Sequence, residues 1–255
     1  MEALVESGSK AMDYNMPIMG KWDFVFLLGE SGGGKGTLVA NIKKHLFPDI
    51  PSASMGEIFR EKAQSDPEIK RLVSEGSLIS DSLVFSIFKD FAKANHGGII
   101  DGFPRNRSQV LDSIKLMKRL GWRVLIIDID CRLETIIERL LARGRDDDKL
   151  DIMFKRNQAR KTLHPVVMEE IKSRHDVFDI VKLDGNKPAH WVFSDFLISL
   201  VRHVDPLNLY GMPALMPDFH LGSDETTTDF AINRMLCQLV LDIQSNINST
   251  MNIDT

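Results

Sequence analysis

The sequence predicts an α/β fold built on a mainly parallel sheet. Two observations carry that prediction. Short apolar runs recur along the chain, and segments of helical period lie between them. A glycine-rich turn also joins the first apolar run to the first helical segment. The first run, Asp23-Phe-Val-Phe-Leu-Leu28, is almost continuously apolar. That suits a strand buried on both faces of a parallel sheet. Gly97-Gly-Ile-Ile-Asp101, Val124-Leu-Ile-Ile-Asp-Ile-Asp130 and Phe178-Asp-Ile-Val-Lys-Leu183 have the same character. Helical period is found over 37–46, 81–94, 108–120 and 133–143. The last of these places Leu133, Ile136, Ile137, Leu140 and Leu141 on one face.

The flanks differ from this middle. Residues 1–21 have weak periodicity and read as an N-terminal arm, with the main domain over 22–204. Beyond it, Pro206, Pro213 and Pro217 mark a linker. A helix is then predicted through Ile232, Met235, Leu236, Leu239 and Ile243, which share one face. This C-terminal extension, 205–255, carries an apolar stripe and no recognisable chemistry. It is expected to pack on the main domain or on a partner subunit, leaving a monomer or a homo-oligomer.

Composition narrows the functional classes. With 255 residues, 43% of them hydrophobic, the chain can bury a sizeable core. Its 32 basic and 36 acidic residues leave a net charge of -4. That argues against a general nucleic-acid binder but leaves room for a local basic cleft. The two cysteines, Cys131 and Cys237, cannot form a four-cysteine zinc site or a disulfide framework, so no zinc and a reducing compartment are expected. The opening MEALVESGSK lacks the apolar core of a secretory signal, and no stretch approaches the roughly 20 apolar residues that span a bilayer. The expectation is a cytoplasmic protein without a membrane partner.

The strongest local signal is Gly29-Glu-Ser-Gly32-Gly33-Gly34-Lys35-Gly36-Thr37. It follows a buried strand and opens a helix, the context that a Gly-x-x-x-x-Gly-Lys phosphate loop requires. Glycines let successive backbone N–H groups approach phosphate oxygens, and the helix N-terminus favours anions. Lys35 would place a point charge on the β- and γ-phosphates. The hydroxyl comes one position late, at Thr37 rather than at 36, so direct ligation of a metal by it is not implied. No His-Glu-x-x-His or Gly-x-Ser-x-Gly run offers a competing chemistry.

With Gly-Lys-Gly-Thr at its centre, the chain resembles the nucleoside monophosphate kinases, most closely the short-lid adenylate kinases, over about 23–203. The resemblance implies a five-stranded parallel sheet wrapped by helices, a helical monophosphate-binding insertion at 54–83 and a very short lid at 144–154. It implies ATP with Mg²⁺ as donor and a nucleoside monophosphate as acceptor. The ATP site would comprise Gly32, Gly33, Gly34, Lys35, Gly36 and Thr37, with Arg139 on the adenine, Arg143 on the phosphates and Lys187 in the turn facing the base.

Ser54-Met55-Gly56-Glu-Ile-Phe-Arg60 resembles the segment that opens the monophosphate site, Arg60 gripping the phosphate. Met55 and Glu57 depart from the family's Thr and Asp. Ser77, Leu78 and Ile79 would face the acceptor base. Asp101-Gly102-Phe103-Pro104-Arg105 closes an apolar strand, where a carboxylate faces the ligand crevice. Asp101 would hold the Mg²⁺ hydration shell and Arg105 the attacked phosphate.

Gln109 stands where adenylate kinases have Gln and uridylate/cytidylate kinases have Asn, which favours AMP. Arg145 and Arg156 are spaced as the family's paired lid arginines. Catalysis is thus assigned to Lys35, Arg105, Arg143, Arg145 and Arg156. Members with short lids carry about four more residues between the counterparts of Arg143 and Arg145, so poorer water exclusion is expected here, with either phosphate leakage to water or a slower reaction. The missing Thr keeps a uridylate/cytidylate kinase open. The short lid keeps a weakly active nucleotide-binding scaffold open. A small-metabolite kinase is disfavoured by the Asp-Gly-Phe-Pro-Arg run.

Overall fold

A computed structural model describes residues 22–77, 79–145 and 150–203. Five strands form one sheet: β1 (Phe24–Gly29), β2 (Ser52–Ser54), β3 (Gly98–Asp101), β4 (Val124–Asp130) and β5 (Phe178–Asp184). Their order is β2-β3-β1-β4-β5 and every pairing is parallel. The helices between them are α1 (Lys35–His45), α2 (Met55–Lys62), α3 (Pro67–Ser74), α4 (Asp81–Asn95), α5 (Arg107–Leu120), α6 (Leu133–Arg143), α7 (Leu150–Lys172) and α8 (Ala189–His203). The five-stranded parallel α/β fold predicted from the sequence is the fold observed.

The continuous apolar runs have a direct cause. Phe24, Phe26 and Leu28 point to one face of the sheet, where they pack with Phe88 of α4, Ile114 and Met117 of α5, and Val167 and Ile171 of α7. Val25 and Leu27 point to the other face, against Leu38 and Ile42 of α1 and Phe193 and Phe196 of α8. A strand covered on both sides needs apolar residues at every position. Phe26, Phe88 and Phe103 make a ring contact set at centroid separations of 4.7–5.4 Å.

Several elements differ from the sequence reading. Strand β2 has only three residues, Ser-Ala-Ser, and exists through its pairing with β3 (Ser52↔Ile99, Ser54↔Asp101). Helix α7 runs for 23 residues with Pro165 inside it, so its apolar positions give no clean period. Helix α1 begins at Lys35 rather than at 37. On α6, Ile136 and Leu140 are buried, but Leu141 is 57% exposed, because the buried stripe is narrower than the apolar stripe of the sequence. Helices α2 and α3 both fall within the range 54–83. Asp66 caps α3 by accepting from the backbone N–H groups of Glu68 and Ile69, with Pro67 at the first helical position.

In the lid expected over 144–154, residues 146–149 lie outside the described residues and 150–154 already belong to α7. The arm at 1–21 and the extension at 205–255 also lie outside them. Among the described residues, no helix is long and apolar enough to cross a membrane.

Candidate active site

The parallel register brings the carboxyl ends of all five strands to one edge. Asp101 lies opposite Leu27 and Ser54, Gly29 opposite Ile129, and Asp130 opposite Asp184. The chain moves from β1 toward β2 and β3 on one side, then crosses to β4 and β5 on the other. Such a reversal opens a crevice above the sheet. A cleft of about 680 Å³ occupies this place. Nine basic and three acidic side chains line it among the described residues, against an overall net charge of -4. The basic cleft that composition left open is therefore present.

The glycine-rich loop forms its floor. Gly32 has φ 84, and a Cβ there would fall 2.9 Å from Leu140 Cγ, so a side chain would collide with α6. Gly34, at φ 97, caps α1 without a side-chain bond, and the first turn of α1 carries no acid. The helix start therefore presents N–H groups and a positive dipole end to an incoming anion. Lys35 folds back under the loop: Nζ donates to the carbonyls of Gly29 (3.0 Å) and Glu30 (2.7 Å) and lies 3.6 Å from Asp101 Oδ1. Burial lowers its pKa and Asp101 opposes that shift. Asp101 Oδ1 is buried and accepts no hydrogen bond.

Opposite the loop stands Arg105. Its Nε donates to Gly102 O at 2.8 Å, which holds the guanidinium at the end of β3, and the side chain is open to the cleft. Desolvation by the surrounding walls lowers its pKa. Asp101 raises it, and the like charges of Arg156 and Arg60 lower it further. Cations crowded in this way are relieved by a polyanion. Arg60 lies over Gly56, where an added Cβ would be 3.4 Å from Arg60 Nη1.

Four arginines close the side toward α6 and α7. Arg139 Nη1 donates to Gly185 O (2.8 Å), tying α6 to the turn after β5. Arg143 Nη2 is 3.3 Å from Ser31 Oγ in the loop. Arg145 Nη2 is 3.7 Å from Glu57 Oε1 of α2, and Arg156 Nη2 donates to Val73 O at 3.3 Å.

Of the residues singled out in the sequence, the structure gathers Gly32, Gly33, Gly34, Lys35, Gly36, Thr37, Ser54, Gly56, Arg60, Ser77, Ile79, Asp101, Gly102, Pro104, Arg105, Arg139, Arg143, Arg145, Arg156 and Lys187 around the cleft. Lys187 Nζ also pairs with Asp195 at 2.7 Å. Three lie behind the wall instead. Met55 and Phe103 are core residues at 1% and 0% exposure. Gln109 is 3% exposed, and both ends of its amide are engaged. Oε1 accepts from the Arg105 backbone N–H, and Nε2 donates to Asp81 Oδ1, each at 2.8 Å. Leu78 lies outside the described residues.

A family model described as "Adenylate kinase" matches residues 27–177. The chain belongs to the adenylate kinase family. It is similar to UMP-CMP kinase 1 of Oryza sativa subsp. japonica, 33% identical over 185 residues, 69% of this chain and 72% of that one. It is also similar to an adenylate kinase of Prochlorococcus marinus (strain MIT 9515), 31% identical over 168 residues, 64% and 91% of the two chains. Adenylate kinase 1 of Synechocystis sp. is 30% identical over 173 residues, 65% and 90%. As a member of the adenylate kinase family the chain is a phosphotransferase of the nucleoside monophosphate kinase type, acting on a nucleoside monophosphate.

The sequence reading missed Glu30, Arg160 and His164, which also line the cleft. Glu30 stood in plain view among the variable positions of the adenylate kinase-type loop. Arg160 and His164 carry only an i, i+4 spacing on a helix whose period is weak.

Proposed function

We propose that the chain transfers the γ-phosphoryl group of ATP reversibly to AMP, giving two ADP. The observation that supports this best is the pairing of a buried Lys35 beneath an anion-ready helix start with Arg105 across Asp101. One cation would hold the donor and the other the acceptor. The acceptor is already an anionic phosphate oxygen, so no protein base is required, and catalysis is positioning plus charge neutralisation. Arg60 and Arg105 bind the monophosphate; Arg143, Arg145 and Arg156 stabilise charge shared between the two phosphates. The insertion at 54–83 serves the acceptor, and the arginines flanking 144–154 serve as the lid.

Magnesium fits this arrangement. Among the described residues no group of three His, Cys, Asp or Glu could form an all-protein metal cage. Mg²⁺ commonly relies on one or two carboxylates, waters and substrate phosphates. Asp101, whose Oδ1 accepts no hydrogen bond, is the residue that would hold a water of that shell. Bound there, the ion would neutralise the β- and γ-phosphate oxygens.

The choice of AMP rests on Gln109. The support is the residue type, Gln as the resemblance to adenylate kinases implies; its amide is buried behind the cleft wall and bound at both ends to Arg105 and Asp81. A uridylate/cytidylate kinase is the second reading, favoured by the buried Met55 and by similarity to the rice UMP-CMP kinase. A coupled assay of ADP formation from ATP with AMP, UMP, CMP and GMP in parallel tests the choice. The highest kcat/KM is expected for AMP. Preference for UMP or CMP overturns the acceptor assignment, and transfer to none of the four overturns the whole reading.

A further inference from the structure

Strand β4 carries one residue out of character. Val124, Leu125, Ile126, Ile127 and Ile129 are apolar and fully buried, yet Asp128 sits among them at 6% exposure. A carboxylate in such a place is retained only where its charge is met. Two residues of α7, one helical turn apart, meet it. Arg160 Nη2 donates to Asp128 Oδ1 at 3.2 Å, and His164 Nε2 lies 3.1 Å from Oδ2. The other guanidinium nitrogen, Arg160 Nη1, is 3.8 Å from Glu30 Oε1 in the phosphate loop. That separation is an ion pair but too long for a hydrogen bond. Arg160 is therefore fixed at one nitrogen and only loosely paired at the other.

Its position is functional as well as structural. Arg160 lines the same cleft as Lys35 and the glycine loop. Its charge acts on Lys35, lowering the lysine's pKa in the same sense as burial does. Glu30 is an acid inside an anion-binding loop, and Arg160 is the leading cation that opposes the burial-driven rise of its pKa. A guanidinium offers two parallel donors to phosphate oxygens, and a triphosphate tail carries more charge than the Glu30 carboxylate.

Resting on the phosphoryl-transfer reading above, we propose that Arg160 is a further ligand of the donor's terminal phosphates and that Asp128 is its positioning residue. In the protein without nucleotide, the ion pair with Glu30 keeps Nη1 of the guanidinium turned toward the loop. When the polyphosphate enters, Nη1 meets its oxygens while Nη2 stays on Asp128. Arg160 then joins Lys35 on the donor side, distinct from Arg60 and Arg105 on the acceptor side.

The test uses the full chain with Arg160→Gln, Asp128→Asn, the double variant and Arg160→Lys. Two quantities are read: kcat at saturating substrates, and the affinity of a non-hydrolysable ATP analogue without acceptor. Arg160→Gln is expected to lower kcat about 10²-fold, the scale of one lost transition-state donor. It should weaken the analogue about tenfold, as one charged hydrogen bond would.

The double variant separates ligand from scaffold. If Arg160 served only to neutralise Asp128, removing both charges would restore kcat to near the wild-type value, and that result overturns the proposal. The expected result is a double variant as slow as Arg160→Gln alone. Arg160→Lys keeps the charge that Asp128 needs and loses the fork, so it folds even where the others do not. A lowered kcat is expected for it, and a wild-type kcat with wild-type analogue affinity overturns the proposal. If the wild-type chain transferred to no monophosphate, the reaction reading would fail, while analogue binding would still decide the role of Arg160.

Discussion

Replacing Gln109 with Leu separates two ways in which this residue could matter. The side chain is 3% exposed and ties the turn at Arg105 to the start of α4. Its Oε1 takes the Arg105 backbone N–H, and its Nε2 serves Asp81, which Asn106 Nδ2 also reaches at 2.6 Å. Leucine keeps the bulk and removes both bonds. Asp81 retains Asn106, so that loss amounts to one hydrogen bond, about 1 kcal/mol. The Arg105 N–H loses its side-chain acceptor in a partly buried place, a further cost of about 1–3 kcal/mol. The sum is roughly 2–4 kcal/mol, to be read as a lowered urea midpoint at unchanged slope.

Arg105 is anchored through this same turn, so KM should rise for every monophosphate tested, AMP and UMP alike. Base reading alone predicts something else: a KM increase confined to AMP with an unaltered midpoint. A variant as stable as the wild type would refute the structural argument, whatever its kinetics.

Two further outcomes follow from burial and charge. Burial raises the Glu30 pKa above its ordinary 4.5 despite the opposing pull of Arg160, Lys35, His164 and Arg105. The folded state then holds its proton more tightly than the unfolded chain does, and the stability contributed by this group is fully present below pH 4.5 and lost as pH rises through the folded value. Glu30→Gln should therefore be more stable than the wild type at pH 7.5, with the gap closing on acidification to pH 4; a gap that widened in acid would contradict this, with urea midpoints at each pH as the measurement. On α6, Leu140→Ala should cost about 2–5 kcal/mol, because Leu140 is buried against Ile136 and Met153, whereas Leu141→Ala should stay within about 0.5 kcal/mol. Equal losses from the two, measured by thermal or urea unfolding, would show that the exposed position had been misjudged.

What the sequence disclosed depended on how local its physics was. Strands β1, β3 and β4 were legible because a strand covered on both faces must be apolar throughout, and the edge strand β5 through the apolar residues Phe178, Ile180, Val181 and Leu183 that it keeps. Strand β2 was not, since Ser52, Ala53 and Ser54 owe their extended state to the neighbouring β3 and not to their own propensity. Helix α8 was readable in principle: Val192, Phe193, Phe196, Leu197 and Leu200 recur at helical spacing and all are buried. The phosphate loop and the Asp101–Arg105 run announced themselves because their chemistry lies within a few consecutive residues.

The Glu30, Asp128, Arg160 and His164 cluster draws on a loop, a strand and a helix, and nothing in the order of the chain joins them. Gln109 illustrates another limit. The resemblance identified the residue, but only the folded chain brings its amide to Arg105 and Asp81.

Helix α7 deserves a mechanical reading. Its 23 residues make a rod about 34 Å long. One end carries Arg156, Arg160 and His164 at the cleft; the other is cemented into the interior by Val167, Met168 and Ile171. Pro165 lies at the junction and cannot donate a bond to the carbonyl of Lys161. The shaft is thus weakest where its working end meets its foundation. A tilt of about 5° at that joint would displace the far tip, some 15 residues away, by about 2 Å, enough to make or break a polar contact without unseating the interior.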